Sequence, residues 1–232
     1  MTTVSPRLSI VIPTYNEEAS IEATLAPLQQ LRHSGDVEII ISDGNSSDAT
    51  REKALKWVDE CLNETNGRAR QMNCGAKVAR GEFLLFLHAD TLLPDDFFSL
   101  LMACLNGAGD ECAWGFFPVR LSGEQCLLRI VERSMNLRSR LSSIATGDQA
   151  IFVSRTLWEK LNGFSDIPLM EDIDFSRRAR KLSKAKIQPR ALTTSSRRWE
   201  QNGIIATVWL MWRLRWLYFW GVPAQNLVKL YR

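Results

Sequence analysis

The sequence predicts an α/β fold built on a mostly parallel sheet with helices on both faces. Three observations carry that prediction. The first half alternates short, continuous apolar runs with stretches of helical spacing. Continuous apolar runs mark strands buried on both faces, which is how parallel strands read. Polar residues cluster just after those runs, and ligands of open α/β sheets sit beyond the C-terminal strand ends.

The elements follow in order. "LSIVIP" (Leu8–Pro13) is the first strand, and "ASIEATLAPLQQL" (Ala19–Leu31) has helical spacing. "VEIIISDG" (Val37–Gly44) is the second strand, and "SSDATREKALKWV" (Ser46–Val58) opens with capping residues and continues as a helix. A short strand is expected over Val58–Asn63. "RARQMNCGAKVA" (Arg68–Ala79) is helical and is stopped by Gly81. "FLLFL" (Phe83–Leu87) is the fourth strand. "PDDFFSLLMACL" (Pro94–Leu105) begins with Pro and two acids, as a helix N-terminus should. This βαβαβαβα series implies the parallel sheet. Its strand-end polar residues, Tyr15, Asn16, Glu17, Asp43, Asn45, His88 and Asp90, should line one crevice.

The second half is less regular. A strand is expected over Cys112–Leu121 and a helix over Glu124–Leu141. "TGDQAIFVSR" (Thr146–Arg155) reads as a loop into a strand, and "TLWEKLNGF" as a short helix ending at Gly163. "MEDIDFSRRARKL" (Met170–Leu182) starts acidic and ends basic, which suits the helix dipole at both ends. No repeat, low-complexity segment or linker interrupts the chain, so one domain is expected over residues 1–232.

The 232 residues suffice for one sizeable core, and 45% apolar with 24% charged content is ordinary for a soluble protein. The net charge of +3 hides an asymmetry. From Arg177 onward there are 13 Lys/Arg and a single acid, Glu200, leaving 16 basic against 25 acidic residues before it. A basic end attracts phosphates or an anionic membrane surface. No nucleic-acid motif accompanies it, so nucleic acid is not an expected partner. Five scattered cysteines without a CxxC pair fit buried thiols in a reducing compartment. Neither a signal peptide nor an eighteen-residue apolar stretch is read. The expected location is the cytoplasm, with a peripheral contact on the inner face of the membrane left open.

Four motifs appear in order at strand ends: "PTYNE", "SDGNSSDAT", "HAD" and "MEDIDF". The series resembles family 2 glycosyltransferases of the GT-A fold, over roughly Leu8 to Arg198. The resemblance implies transfer of a sugar from a nucleotide-diphosphate donor to a hydroxyl, with inversion at the anomeric carbon and Mn²⁺ or Mg²⁺ as cofactor. It divides the chain into a nucleotide-binding half over about 7–110, an acceptor and catalytic half over about 111–200, and a helical tail over about 201–232. UDP-glucose or UDP-galactose is the default donor.

The resemblance assigns roles residue by residue, each beside a plainer reading. Pro13, Tyr15 and Glu17 would hold the base and ribose; the plainer reading is a turn before an acidic helix start. Asp43 would accept from a uracil N–H, with Ser47 or Asp48 capping the next helix. Arg68 matches a basic donor-site residue, against the reading of a solvated surface arginine. His88, Ala89 and Asp90 occupy the place of the family's DxD motif. Asp90 would supply a hard anionic ligand to a divalent ion on the diphosphate. His88 departs from the pattern; it would ligate as neutral imidazole or contact the ribose or diphosphate, unless it is structural. The only other histidine, His33, lies in the first helical region, so a metal would have few protein ligands. No DxDx[TV] nucleophile motif accompanies the string.

Asp148 and Gln149 of "TGDQ" are candidate hydroxyl binders for sugar and acceptor, or part of an ordinary turn. Asp172 of "MEDIDF" would be the general base, with Glu171 holding it and Asp174 serving the helix dipole. Arg197 and Arg198 would offset leaving-group charge on the diphosphate. Trp199 is assigned to the acceptor side, with core packing as its alternative. In the tail, Trp209, Trp212, Trp216 and Trp220 draw one helical stripe interrupted by Arg213 and Arg215. It fits a monotopic membrane contact beside a lipid-linked acceptor, or packing in the core or a homodimer. Two rivals stand beside the transferase: a sugar-1-phosphate nucleotidyltransferase, which would want a Gly-rich, Arg-bearing loop that "PTYNEEAS" lacks, and a non-catalytic nucleotide-binding or membrane-associated scaffold.

Overall fold

A computed structural model describes residues 5–65, 67–106 and 113–231. The apolar runs form β1 (Leu8–Thr14), β2 (Val37–Asp43), β3 (Glu60–Asn63) and β4 (Phe83–Phe86), all parallel, in the order β3-β2-β1-β4. Alternation divides β1 and β2 between two cores. Ile10, Ile12, Ile39 and Ile41 pack on one face, and Val11 and Ile40 on the other. Each is fully withdrawn from water, worth about 1.5–3 kcal/mol per side chain. That is why these strands read as unbroken apolar runs.

The helices between them are shorter than their periodicity suggests. The stretch 19–31 becomes α1 (Ile21–Leu25), a tight 3₁₀ turn at Ala26–Leu28 and α2 (Gln29–Ser34). Pro27 has no amide to continue the ladder and crowds the preceding turn. The helix expected from Ser46 starts late, as α3 (Thr50–Ala54), and ends in a 3₁₀ turn at Leu55–Trp57. Ser46 and Ser47 are spent on loop bonds instead, while Asp48 Oδ1 accepts from Thr50 N at 3.0 Å, at the start of α3. Ser46 N donates to Asp43 Oδ2 at 2.8 Å, and Ser47 N donates to Asn16 Oδ1 at 2.9 Å. α4 (Arg68–Val78) is as expected. A two-residue strand, β5 (Thr91–Leu92), precedes α5 (Phe97–Asn106), and Pro94 forms the turn before that helix.

The strand expected over Cys112–Leu121 divides in two, with Cys112 outside the described residues. β6 (Trp114–Phe116) joins the main sheet and β7 (Val119–Leu121) a second, three-stranded one. Pro118 lies between them and cannot donate to a ladder. Then follow α6 (Cys126–Ser142), β8 (Ile151–Ser154), α7 (Arg155–Lys160), α8 (Glu171–Ala179), β9 (Lys186–Ile187), β10 (Leu192–Thr194), α9 (Arg197–Asn202), α10 (Ile204–Phe219) and α11 (Ala224–Tyr231). The main sheet runs β3-β2-β1-β4-β8-β6-β9, with β8 antiparallel to both neighbours. The second runs β5-β10-β7.

Two pairings place the loops that matter. β8 starts beside the end of β4, with Ile151 opposite Phe86, so the 146–149 loop meets the His88 segment. β10 pairs with β5, Thr194 opposite Thr91, and so brings Arg197 and Arg198 beyond Asp90. The Thr91 hydroxyl donates to Thr194 Oγ1 at 3.1 Å, tying the two strands by their side chains. Among the described residues no helix is long and apolar enough to cross a membrane.

Candidate active site

The loop after β1 and the loop after β2 are sewn together. Asp43 is fully buried, and its carboxylate accepts from Thr14 Oγ1 at 2.9 Å, Ser46 Oγ at 2.6 Å and Ser46 N at 2.8 Å. Gln71 of α4 donates from its amide to Thr14 O and Ser42 O, at 2.7 and 2.9 Å. Asn16 is held in the left-handed region, φ 55°, where asparagine is tolerated. Pro13 is half-buried, and Tyr15 is exposed at the end of the sheet. Glu17 faces Arg197, with Nη2 to Oε2 at 3.4 Å. Asp43 therefore works inside this loop pair, and Tyr15 offers it an open aromatic face.

The "HAD" segment leaves β4 in a turn, with Thr91 N donating to His88 O at 3.2 Å. Thr24 of α1 fixes its middle by donating to Ala89 O at 2.7 Å. Asp90 is half-buried and has no hydrogen bond or ion pair among the described residues. His88 is 14% exposed and places Nδ1 3.3 Å from Asp148 Oδ1. Its Nε2 is buried with no partner. An orphaned ring nitrogen and an unpaired carboxylate, two residues apart, are the groups this segment offers a divalent ion, whose other ligands would be ligand oxygens. Among the described residues no group of three or more His, Cys, Asp or Glu is arranged to hold a metal without such oxygens.

The 146–149 loop is a capped 3₁₀ turn. Gln149 is fully buried, and its Oε1 accepts from Thr146 N at 3.0 Å and Ser139 Oγ at 2.7 Å. Its side chain has no exposed surface to offer an acceptor. Asp148, by contrast, reaches the cleft at 42% side-chain exposure. Desolvation pushes its carboxyl up, but the His88 hydrogen bond and charge, with Arg68 and Arg198, bring it below the usual range. Gly147 lies against His88, and a Cβ there would stand 2.6 Å from Nε2.

α8 presents the acids of "MEDIDF" at its N-terminus. Asp172 Oδ2 accepts from Gly147 N at 2.7 Å, and Oδ1 accepts from Ile173 N at 2.7 Å. Desolvation and then the neighbouring charge of Glu171 push the Asp172 carboxyl up to about 6, against the pull of Gly147 N–H and Arg68. Glu171 is buried and pairs with Arg68 Nη1 at 3.6 Å. Burial alone would weaken the Arg68 cation, but Glu171 and then Tyr231, Asp148 and Asp172 raise its pKa on balance. Asp174 has another job, accepting from Ser165 Oγ at 2.6 Å and Arg178 Nε at 2.8 Å. A cavity of about 10 Å³ lies between His88, Gly147, Glu171, Asp172 and the apolar Met72, Phe86, Ile151 and Phe164. A wider open hollow, about 520 Å³, lies between Ser142–Ser143 and the 180–185 segment, at the C-terminal ends of α6 and α8. It carries none of the motif residues.

Arg197 is exposed, and Arg198 is half-buried beside Tyr231. Trp199 points away from this cluster and packs with Leu121, Leu128, Val131 and Ile204. The structure thus brings together His88, Asp148, Glu171, Asp172 and Arg68, with Arg198 near enough to act on Asp148. Gln149 and Trp199 are left behind as packing.

The glycosyl transferase family 2 sequence model matches residues 9–148, more than half of the chain. The chain belongs to glycosyltransferase family 2. It is 27% identical over 234 residues to the probable glycosyltransferase YdaM of Bacillus subtilis (strain 168), covering 91% of its own length and 54% of that protein. It is 34% identical over 109 residues to the GalNAc(5)-diNAcBac-PP-undecaprenol beta-1,3-glucosyltransferase of Campylobacter jejuni, covering 44% of itself and 35% of that protein. The chain therefore spans about half the length of the first relative and about a third of the second. In fold it matches S. aureus TarS 1-349 bound to UDP-GlcNAc, with a TM-score of 0.65 at 22% identity over 82% of this chain and 58% of that one. It also matches the mannosyltransferase PcManGT of Pyrobaculum calidifontis bound to GDP-Man and Mn²⁺, with a TM-score of 0.62 at 22% identity over 83% and 57%. The fold is GT-A.

Three residues of the candidate site escape a motif reading. Gly147 is one of 13 glycines, and nothing in "TGDQ" marks it as the donor to Asp172. Arg138 of α6 is held partly out of water near Asp172 and Asp148, and its Nε is buried without a partner. Its signal was only a basic residue on an amphipathic helix. Tyr231 lies far along the chain from every motif.

Proposed function

We propose that this glycosyltransferase moves a sugar from a nucleotide-diphosphate donor to a hydroxyl acceptor with inversion, and that Asp172 is the general base. One observation carries the reading. Asp172 sits at a helix N-terminus, held by two backbone N–H groups beside Arg68, with its carboxyl raised to about 6. A carboxylate with that pKa is ionised at neutral pH and is still basic enough to take a proton. The acceptor O–H gives its proton to Asp172 as its oxygen bonds to the anomeric carbon. The bond from that carbon to the diphosphate breaks, and the leaving group carries away the electron pair. Arg197 and Arg198 offset its charge. Glu171, ion-paired to Arg68, holds the base in place.

On the donor side, Tyr15 offers the exposed face for the base, while Pro13, Glu17 and Asp43 shape the loop under base and ribose. Mn²⁺ or Mg²⁺, when bound with the donor, supplies charge neutralisation at the diphosphate. His88 and Asp90 would hold it, and Ala89 is pinned by Thr24 between them. A UDP-hexose, glucose or galactose, is the donor of this reading; the Campylobacter relative is named a glucosyltransferase, and one fold neighbour holds UDP-GlcNAc. That relative's name also carries an undecaprenol-linked glycan, which supports a lipid-linked acceptor here. The basic, Trp-bearing face of α10 suits a peripheral contact with an anionic membrane. The chain divides as the motifs suggest: about 7–110 for the nucleotide, about 111–200 for acceptor and base, and about 201–232 for the helical tail.

A screen of UDP- and GDP-sugars for donor hydrolysis, with and without Mn²⁺, tests the reading. Turnover of a UDP-hexose that requires the ion and Asp90 is expected. Turnover with no nucleotide-sugar would overturn it.

A further inference from the structure

Arg198 is not a free surface arginine. Its guanidinium carbon lies 3.8 Å from the centroid of the Tyr231 ring. Its Nη1 meets the Tyr231 hydroxyl, and its Nη2 donates to Tyr231 O at 3.4 Å. Tyr231 is itself anchored. It packs with Met170 and Ile173, which flank the Glu171–Asp172 pair, and with Leu214 and Leu227 of the tail helices. Arg198 in turn acts on the charge of Asp148.

We infer that Tyr231 is a positioning residue, which fixes Arg198 toward the diphosphate of the donor. The chemistry follows from counting donors. A guanidinium has five N–H groups. Tyr231 engages one on each terminal nitrogen, and no other side-chain hydrogen bond of Arg198 occurs among the described residues. Three N–H groups remain for phosphate oxygens. A free arginine loses side-chain entropy when it grips a ligand, whereas one already stacked and bonded has lost much of it beforehand. The aromatic face beside the guanidinium further restricts its orientation. The arrangement gives the tail helices a role in donor binding, because α11 carries Tyr231 and packs through α10 against the start of α8.

The inference rests on Arg198 binding the diphosphate, and the test separates the two claims. UDP and uridine binding are measured by calorimetry for the wild type, Arg198→Ala, Tyr231→Phe, Tyr231→Ala and the double variant, with thermal unfolding alongside. Arg198→Ala should weaken UDP by about 10-fold or more and leave uridine unchanged. Tyr231→Ala should do most of the same, Tyr231→Phe should lose less because the stack survives, and the double variant should be no worse than Arg198→Ala alone. If Arg198→Ala binds UDP normally, the diphosphate assignment fails and the inference with it. If Arg198→Ala weakens UDP but Tyr231→Ala does not, only the positioning role fails. Tighter UDP binding by Tyr231→Ala would make the tyrosine a plug, and equal losses of UDP and uridine would make it merely structural; either result overturns the inference.

Discussion

The backbone N–H of Gly147 donates to Asp172 Oδ2 at 2.7 Å, joining the loop before β8 to the first turn of α8. The contact orients one carboxylate oxygen and leaves Asp172 dependent on a loop that also touches His88.

Asp172→Asn keeps the shape and removes the basicity. Sugar transfer should fall by roughly 100-fold or more while UDP binding is retained. In the wild type, kcat/KM should drop as pH falls through about 6, where the carboxyl takes up its proton. That limb should be missing from any residual activity of the variant. Stability should move the other way. A carboxyl raised in the folded state contributes fully only below its unfolded pKa, and that contribution is lost as pH rises through the folded one. Asp172→Asn should therefore be more stable than the wild type at pH 8, on the order of 1–3 kcal/mol, and the gap should close towards pH 4. Urea unfolding at both pH values reads this.

Gly147→Ala tests the packing around the same loop. The added Cβ would meet His88 Nε2 at 2.6 Å and Cε1 at 2.7 Å, closer than such contacts allow. Either the His88 ring or the loop must move, so the Gly147 bond to Asp172 and the His88 contact with Asp148 both loosen. A loss of about 1–3 kcal/mol in stability is expected from overpacking. Transfer should fall by roughly 10-fold or more, because a misplacement near 1 Å is costly. Wild-type turnover in this variant would mean that neither the Gly147 bond nor the His88 position matters.

Arg68→Met separates the two jobs of Arg68. Its ion pair leaves Glu171, a buried carboxylate, with a cation 3.6 Å away. Arg68 is 45% exposed, so screening reduces the loss on breaking the pair to about 1 kcal/mol. Its positive charge also lowers the Asp172 pKa. Removing it should move the acidic limb of the pH–rate profile to higher pH. A limb that stays in place or moves lower would show that Arg68 does not act on the base.

The fold was legible because its central strands are buried on both faces. Ile10 and Val11 pack in different cores, so no alternation was needed to find β1. β5, β9 and β10 were not legible, since two or three residues carry no period. They matter all the same, because Thr91 opposite Thr194 brings the Arg197–Arg198 pair beyond Asp90. Motif residues at a strand end and a helix start, such as His88 and Asp172, were singled out from the sequence, and the structure places them around one small space. Gln149 looked the same by that logic, yet it caps its own turn from inside the protein. Whether a polar side chain faces the cleft or the core depends on backbone geometry that composition does not encode. Tyr231 was invisible for a related reason. Its partner is 33 residues away and meets it only because α10 and α11 fold back together.

The outer face of α10 supplies the last prediction. Trp209, Trp212 and Trp216 are 65%, 70% and 61% exposed, and Ile205, Phe219 and Trp220 are more open than Trp209. Trp216 and Trp220 touch, with ring centroids 5.7 Å apart. Contiguous exposed apolar side chains of this kind suit an interaction surface. Exposed Arg213 on the same helix and Lys229 on α11 give it basic company. Indole rings and basic side chains together suit the headgroup region of an anionic bilayer. The protein should therefore co-sediment with vesicles containing anionic lipid, less so with neutral vesicles, and salt should weaken the binding. Because these side chains are exposed, the triple variant Trp209→Ala/Trp212→Ala/Trp216→Ala should unfold at the wild-type temperature yet bind vesicles at least about 10-fold more weakly. Lack of vesicle binding at low salt, together with a concentration-dependent dimer that the triple variant loses, would assign the face to a second copy of the chain instead.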